Sequence, residues 1–365
     1  MKNTFGQSVS VTLFGESHGS EIGAVIDGLA PGIDIDKDYI ASRLALRRPA
    51  GKISTSRVEK DEFRIVSGVF NGKTTGTPLC VMIPNENTSS ADYEATRALA
   101  RPSHADYTAY EKYHGFEDYR GGGHFSGRLT APLVAAGAIA ETALMSKGIV
   151  LGTHISRCAG LDDRKFGDIK KDIEFLSTAA FPVLDGKAGE KMTAKILEAA
   201  KDGDSVGGVL ECAVIGMPAG VGEPWFDSVE SVLSHALFSI PAVKGVEFGD
   251  GFALSDMRGS AANDAFRIDN GKVITKTNHN GGINGGITNG MPIVFSVAVK
   301  PTPSIFKTQE TVDFIKGENA EITVSGRHDP AIVHRARAVV DAVTALTLCD
   351  MLAIRFGTDF FGGEK

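Results

Sequence analysis

The segment FGESHG, residues 14–19, sets Glu16, Ser17 and His18 between two glycines. Such a stretch reads either as a polar turn or as a bend where backbone and side chains close on an anion. Histidine can give or take a proton near neutral pH, so His18 is a candidate acid. Four later stretches carry comparable residues. RPSHADY (101–107) puts His104 between Arg101 and Asp106 on a proline-marked loop, which alone reads as a surface histidine. YRGGGHFSGRLTAP (119–132) runs a glycine loop with Ser126 and Arg128 into a helix N-terminus, where free N–H groups and the helix dipole seat anions. VKPTPSI (299–305) ends a strand at Lys300 and turns through prolines to Ser304. SGRHDPAIVHRAR (325–337) offers Asp329 as a helix N-cap among Arg327, His328 and Arg335. A capping aspartate can also be catalytic if its other oxygen faces a pocket. His114, His154 and His235 have no such company and read as structural.

Elements must hold these loops in place. Residues 62–70 and 77–83 read as strands joined through Asn71-Gly72, a hairpin signal repeated at Asn270-Gly271 between AFRID and KVITKT. Residues 208–217 and 291–300 are long β-rich runs. Helices are expected over about 36–47, stopped by Pro49, and from a Thr130 cap, with Pro132 in the first turn, to Gly148. Asp227 with Glu230 resembles a capping box, and a last helix should run from Asp329-Pro330 to about Arg355. Segments echo one another: 18–32 with 204–220, 63–73 with 266–272, and 76–85 with 290–301. The order is the same in both sets. This implies a duplicated unit with a pseudo-twofold relation, in one domain over 1–365 with halves of roughly 1–150 and 200–340.

Composition narrows the class. The chain has 365 residues, 42% hydrophobic and 23% charged, which suits a soluble globular protein. A net charge of −7 argues against a nucleic-acid surface. Yet Arg43, Arg47, Arg48, Lys52 and Arg57 lie close together, and Arg327, Arg335 and Arg337 form a second group. Local arginines on an acidic chain suit small, multiply charged anions. The apolar run 131–140 is too short to span a bilayer, and no signal segment opens the chain, so a cytoplasmic protein without membrane or nucleic-acid partners is expected. Cys80, Cys158, Cys212 and Cys349 form no CxxC pair, which suggests reduced thiols and no metal site. Many of the 43 glycines gather in 119–128, 218–224 and 278–290, where backbone can approach a ligand. None forms a dinucleotide fingerprint. Gly122 to Arg128 has phosphate-loop spacing, but Arg128 replaces the lysine and Leu129 the hydroxyl residue, which excludes an NTPase.

Together the motifs resemble the chorismate synthase family. FGESHG, RPSHADYT, DYRGGG, GDGF, TNHNGGINGGI, KPTPSI and GRHDP occur in family order from residue 5 to about 340. The resemblance implies an α+β layered sandwich, with helices between two largely antiparallel β-sheets, assembled as a homotetramer. It implies a 1,4-anti elimination of phosphate from 5-enolpyruvylshikimate 3-phosphate to give chorismate, the last common step of aromatic amino-acid biosynthesis. Reduced FMN is required, with no net redox change. In that family reading His18 protonates the departing phosphate with support from Arg48. His104 donates to the N1 side of the reduced flavin, and Asp329 relays the proton passed through flavin N5. Ser17 and Ser126 support these proton routes. Arg47, Arg48, Arg128 and Arg335 hold the substrate. Flavin positions fall on His124, Phe125, Ser126, Ala242, Gly285, Lys300, Pro301, Thr302, Pro303, Ser304 and Arg327. There are departures. Many members have Arg-Ser-Ser-Ala-Arg where this chain has 124–128, and asparagine where Pro241 stands. The arginine that follows RRPG in the family is out of register in AGKISTSR. Two rival readings are an NADPH-dependent flavin reductase and a non-catalytic module for phosphorylated metabolites. NADPH is also a candidate reductant, since some members reduce their own flavin.

Overall fold

Alternating burial builds the sheets. Leu79, Val81 and Ile83 in one strand, and Ile293, Phe295, Val297 and Val299 in another, are buried while the residues between them are not. Period-two burial turns one face of each strand to the core. The computed structural model describes residues 2–49, 51, 53–54, 60–86, 97–324, 326 and 328–363. Lys52, Arg57 and Arg327 lie outside the described residues.

The first sheet contains β1 (Thr4–Phe5), β2 (Ser10–Gly15), β3 (Glu21–Asp27), β4 (Arg64–Ser67) and β5 (Leu79–Pro84), in the order β1-β2-β3-β5-β4. The second contains β6 (Val150–Cys158), β7 (Leu161–Asp162), β8 (Gly208–Ile215), β9 (Val243–Phe248) and β10 (Ile293–Val299), in the order β9-β10-β8-β6-β7. Every pairing in both is antiparallel. The echoing segments take matching places: β3 pairs with β5 as β8 pairs with β10. Outside these pairs the halves diverge. β4 borders β5, but its echo Phe266–Asp269 is exposed throughout and forms a separate hairpin with Lys272–Thr275. Both Asn-Gly turns are present, with Asn71, Gly72, Asn270 and Gly271 all at positive φ.

The main helices are α1 (Lys37–Arg47), α2 (Asp106–Tyr113), α3 (Thr130–Ser146), α4 (Ile169–Leu176), α5 (Gly186–Lys201), α6 (Val229–Leu237) and α7 (Val333–Phe356). The layer between the sheets is α3 against α7. α3 touches β2, β3 and β5, and α7 touches β6 and β8. The two axes approach closely because α3 is rich in alanine and has Gly137, where a Cβ would lie 2.2 Å from Ala342 Cβ. The apolar helical segment is longer than 131–140. Gly127–Ser146 has membrane-spanning length and a mean hydropathy of 1.4, but 78% of it is buried within the fold as the central helix.

Three expected helix starts are corrected. Thr130 is the first residue of α3 rather than its cap, and its hydroxyl donates back to Gly127 O at 2.6 Å. Ser228, not Asp227, caps α6 by accepting from Ser231 N at 3.1 Å, because Trp225–Asp227 forms a 3-10 turn of its own. α7 begins at Val333 rather than at Asp329-Pro330, and the Asp329 carboxylate is engaged by Arg335 instead. Asp36 caps α1 as the sequence suggests, accepting from Tyr39 N at 2.9 Å.

A buried polar cluster ties the helix layer together. Arg43 of α1 meets Glu141 of α3 at 3.1 Å and Asp341 of α7. Tyr39 donates to Glu141 at 2.5 Å, and Thr153 of β6 donates to Asp341 at 2.6 Å. Burial pushes the Glu141 carboxyl above its ordinary range. Nearby, Asp350 of α7 accepts backbone N–H groups of Gln7, Ser8 and Val9, the last two at 2.7 and 2.8 Å, which fastens the N-terminal loop to the core.

Candidate active site

The FGESHG bend is shaped by backbone bonds. β2 ends at Gly15, with φ +96°, and Gly19 N closes the turn on Glu16 O at 3.0 Å. Ser17 N donates to Gly123 O at 3.1 Å, joining the bend to the glycine loop. Asn85, just past β5, donates its side-chain amide to Glu16 O at 3.0 Å and to Gly19 O at 2.9 Å.

Glycines 121, 122 and 123 have φ of +60°, +81° and +51°. The absence of side chains is what brings the two candidate histidines together. A Cβ on Gly121 would lie 2.2 Å from His18 Cε1, and one on Gly122 would lie 3.2 Å from His104 Cε1. The imidazoles therefore rest on adjacent residues of one loop. Ser17 is buried beside them, its Oγ 2.9 Å from that same Gly121 position.

His104 is well oriented. Its Nδ1 lies 2.9 Å from Asp106 Oδ1, and Arg101 grips Asp106 through Nε at 2.8 Å and a terminal nitrogen at 2.6 Å. Burial alone would raise the Asp106 carboxyl, but donation from Arg101 and His104 holds it well below the usual carboxylate range. Nδ1–H donation to that carboxylate presents Nε2 at the glycine loop. Asp118, behind Gly123, is likewise held below its ordinary range, first by Arg120 donating at 2.8 Å; the nearby His18 charge lowers it further and burial opposes both.

The arginines converge from three segments. Arg47 donates Nε to Thr130 Oγ1 at 2.9 Å and reaches Asp61 Oδ2 at 3.2 Å. Arg48 Nε lies 3.7 Å from the same oxygen, and Arg128 binds Asp61 Oδ1. Arg128 also donates to Asn85 Oδ1 at 3.0 Å and Pro84 O at 3.2 Å. Arg335 donates to Asp329 at 2.7 Å and to Arg47 O at 2.9 Å, which brings the C-terminal group to the first.

The second half reaches in through β10. Lys300 at its exit donates to Ser103 O, next to His104, and its own N–H donates to Ala242 O at 3.0 Å. Burial, then repulsion from Lys244, pushes the Lys300 ammonium below its ordinary value. Thr302 O accepts from Ser205 at 2.7 Å, and Ser304 is buried. Pro301 is exposed and Pro303 half-buried on the same turn. The 124–126 positions differ in what they face. A His124 ring nitrogen binds Gly15 O at 2.8 Å, Phe125 is 39% exposed with its ring edge on Tyr113, and Ser126 Oγ caps the next turn through Arg128 N at 3.3 Å. Gly285 stands apart in the Ile283–Asn284/Ile287–Thr288 hairpin, whose next glycine packs on Glu223 and Ser228.

Sequence reasoning passed over two residues. Asp61 stood in a charged run, EKDE, that looked like a solvated loop, yet its side chain is fully buried under three guanidiniums. Its φ of +50° is the local mark of that placement. Asn85 ends a strand and showed no signal, yet it links the His18 bend to Arg128.

Comparison with known proteins gives one consistent result. A family profile described as chorismate synthase matches residues 9–353. Curated proteins named chorismate synthase from Dehalococcoides mccartyi and Thermococcus gammatolerans are 46% and 47% identical, covering 98% and 96% of this chain and 98% and 97% of their own. A crystal structure of a chorismate synthase superposes with a TM-score of 0.74 at 28% identity, over 97% of this chain and 94% of that one.

Proposed function

The chain belongs to the chorismate synthase family and is a lyase, and from that premise we propose how its cleft eliminates phosphate from 5-enolpyruvylshikimate 3-phosphate. The observation that carries the reading is the pair of imidazoles on Gly121 and Gly122, beside a convergence of arginines. His18 is the acid for the departing phosphate, with Ser17 at its side. The arginines of α1 and the loop before α3 neutralise phosphate charge as it develops on the leaving group. Asp329, held by Arg335, would take up the ring proton in the relay role expected of it, and is not the group that removes that proton from the ring.

The residues also fit reduced FMN. Lys300 stands at the exit of β10 with its ammonium beside His104, donating to Ser103 O, where a phosphate could take it up. The glycine loop carries no Cβ where a flat ring could approach His104. His104 would meet the flavin with Nε2, Lys300 and the 301–304 turn would line its phosphate end, and Ser126 would sit between the two. When bound, the reduced flavin supplies electron density to the substrate as the carbon–oxygen bond breaks. Arg327 belongs to the same proposed set, as do Ala242 and, through its hairpin, Gly285.

Assembly as a homotetramer is supported by bulky apolar side chains at the surface. Trp225, Phe226 and Phe252 are each more than 80% exposed. Four free cysteines support a reducing, cytoplasmic setting.

The deciding experiment is anaerobic. Protein, dithionite-reduced FMN and substrate are mixed, and chorismate absorbance and phosphate release are followed. Equal yields with the flavin still reduced are expected; flavin oxidation in step with product would indicate a reductase. His18→Ala should lower turnover roughly 10²- to 10⁴-fold while FMN binding persists, and unchanged turnover would remove His18 from the acid role. Replacing dithionite with NADPH reads whether the chain reduces its own flavin.

A further inference from the structure

We infer that Asp61 is a resident anion that competes with the ligand's phosphate for Arg47, Arg48 and Arg128, and so sets how tightly that phosphate is held. The inference rests on the arginine cluster being the phosphate site proposed above. Asp61 has a fully buried side chain, contacted through both oxygens by guanidiniums from α1 and from the loop before α3. Its φ of +50° turns the chain against its usual preference, and aspartate is among the few residues that adopt this conformation readily. Arg47 and Arg128 are almost fully buried, while the Arg48 side chain is 34% exposed. An anion therefore reaches the cluster at its Arg48 edge, and meets there a negative charge already in place.

Such a charge has a use in this chemistry. Phosphate enters as part of the substrate and must leave as a free product. Guanidiniums without a counter-charge would bind both, and the product would clear slowly. A carboxylate within the cluster weakens both interactions through its repulsion of the bound anion, and holds the mutually repelling guanidiniums together in the absence of one. Asp61 is thus a positioning and affinity-setting residue, acting through the arginines.

The test compares direction as well as size. Asp61→Asn preserves shape and tolerates positive φ, and Asp61→Gly removes the carboxylate with full backbone freedom. Inorganic phosphate is titrated calorimetrically into wild type and both variants, and steady-state KM, kcat and phosphate inhibition are measured in the anaerobic assay. Both variants should bind phosphate at least about tenfold tighter. Substrate KM and the phosphate inhibition constant should fall, and kcat should fall with them as release becomes limiting. A support role alone gives the opposite sign: weaker phosphate binding and higher KM. That outcome, unchanged affinity, or failure of both variants to fold would overturn the inference. Failure of wild type to make chorismate would sink the functional reading instead, while the phosphate titrations would still judge Asp61.

Discussion

Helix α1 carries two arginine–carboxylate clusters one turn apart, and they are built to opposite rules. Arg43 faces inward and is shared by two carboxylates, Glu141 and Asp341, with Tyr39 and Thr153 donating to them. Arg47 and Arg48, joined by Arg128, converge on the single Asp61 carboxylate among the described residues. The first cluster settles its charges inside the fold: one guanidinium serves two carboxylates, and burial pushes the Glu141 carboxyl up toward its neutral form. The second gathers three guanidiniums on Asp61, with the Arg48 side chain reaching the surface. One helix therefore delivers a fold-holding cation from one turn and, from the next, the cations proposed to hold the ligand. Its period of 3.6 residues brings Arg43 and Arg47 onto the same face, and what each meets there separates the roles.

The largest effect should come from breaking the compensated cluster. Arg43→Met leaves Glu141 and Asp341 buried without their cation, and should cost about 3–5 kcal/mol in urea unfolding. Next comes the loop that carries the histidines. Gly121→Ala drives a Cβ into His18 and forces a non-glycine residue to a φ of +60°. It should lower kcat/KM on the order of 10²-fold, at a stability cost of about 1–2 kcal/mol. A stability loss without an activity loss would mean that His18 does not depend on this loop for its position. Smaller again, Arg48→Gln should raise substrate KM about tenfold while moving stability by less than about 0.5 kcal/mol. If Arg48→Gln destabilised the protein as much as Arg43→Met, the division between the two clusters would collapse.

Much of this was legible before any coordinates. The Asn-Gly turns have one ready conformation, so both hairpins could be placed from two residues each. The motif loops carry their chemistry in adjacent residues, and family order tied them together. What could not be read was long-range charge pairing. Asp61 is 67 residues from Arg128, and Arg43 is 298 from Asp341. Nothing local distinguishes a carboxylate that will be buried from one that will be solvated. The helix starts failed for a related reason. Asp227 and Asp329 are good caps by type, but a 3-10 turn shifted one boundary, and a pairing with Arg335 drew the other aspartate elsewhere. Strand β6 and helices α4 and α5 also escaped notice, since 150–201 carries no site motif, and its Asp185-Gly186 pair caps α5 rather than closing a hairpin.

The compensated pattern extends into the second sheet, where its pH dependence can be measured. His154 of β6 is wholly buried, with Nδ1 3.0 Å from Asp163 and Nε2 2.9 Å from Glu211 of β8, and the Phe166 ring packs edge-to-face with centroids 4.7 Å apart. Burial alone would depress the imidazole, but donation to both carboxylates outweighs it and raises its pKa above the ordinary value. A histidine raised in the folded state contributes stability that is complete below its unfolded pKa, about 6.5, and is lost as pH climbs through the folded value. Asp163, by contrast, is lowered: burial opposes, but His154 and the N–H groups of Leu184 and Asp185 prevail, so its contribution fades only in acid. Wild type and His154→Gln should therefore differ most in urea midpoint near pH 6, and the gap should narrow as pH rises above it. A gap that stays constant from pH 6 to pH 9 would mean that the fold does not raise the imidazole, and a gap that widens would mean that the imidazole is neutral in the fold. The cation would then have to be struck from the compensated set, and Arg43 would carry the contrast between core and site by itself.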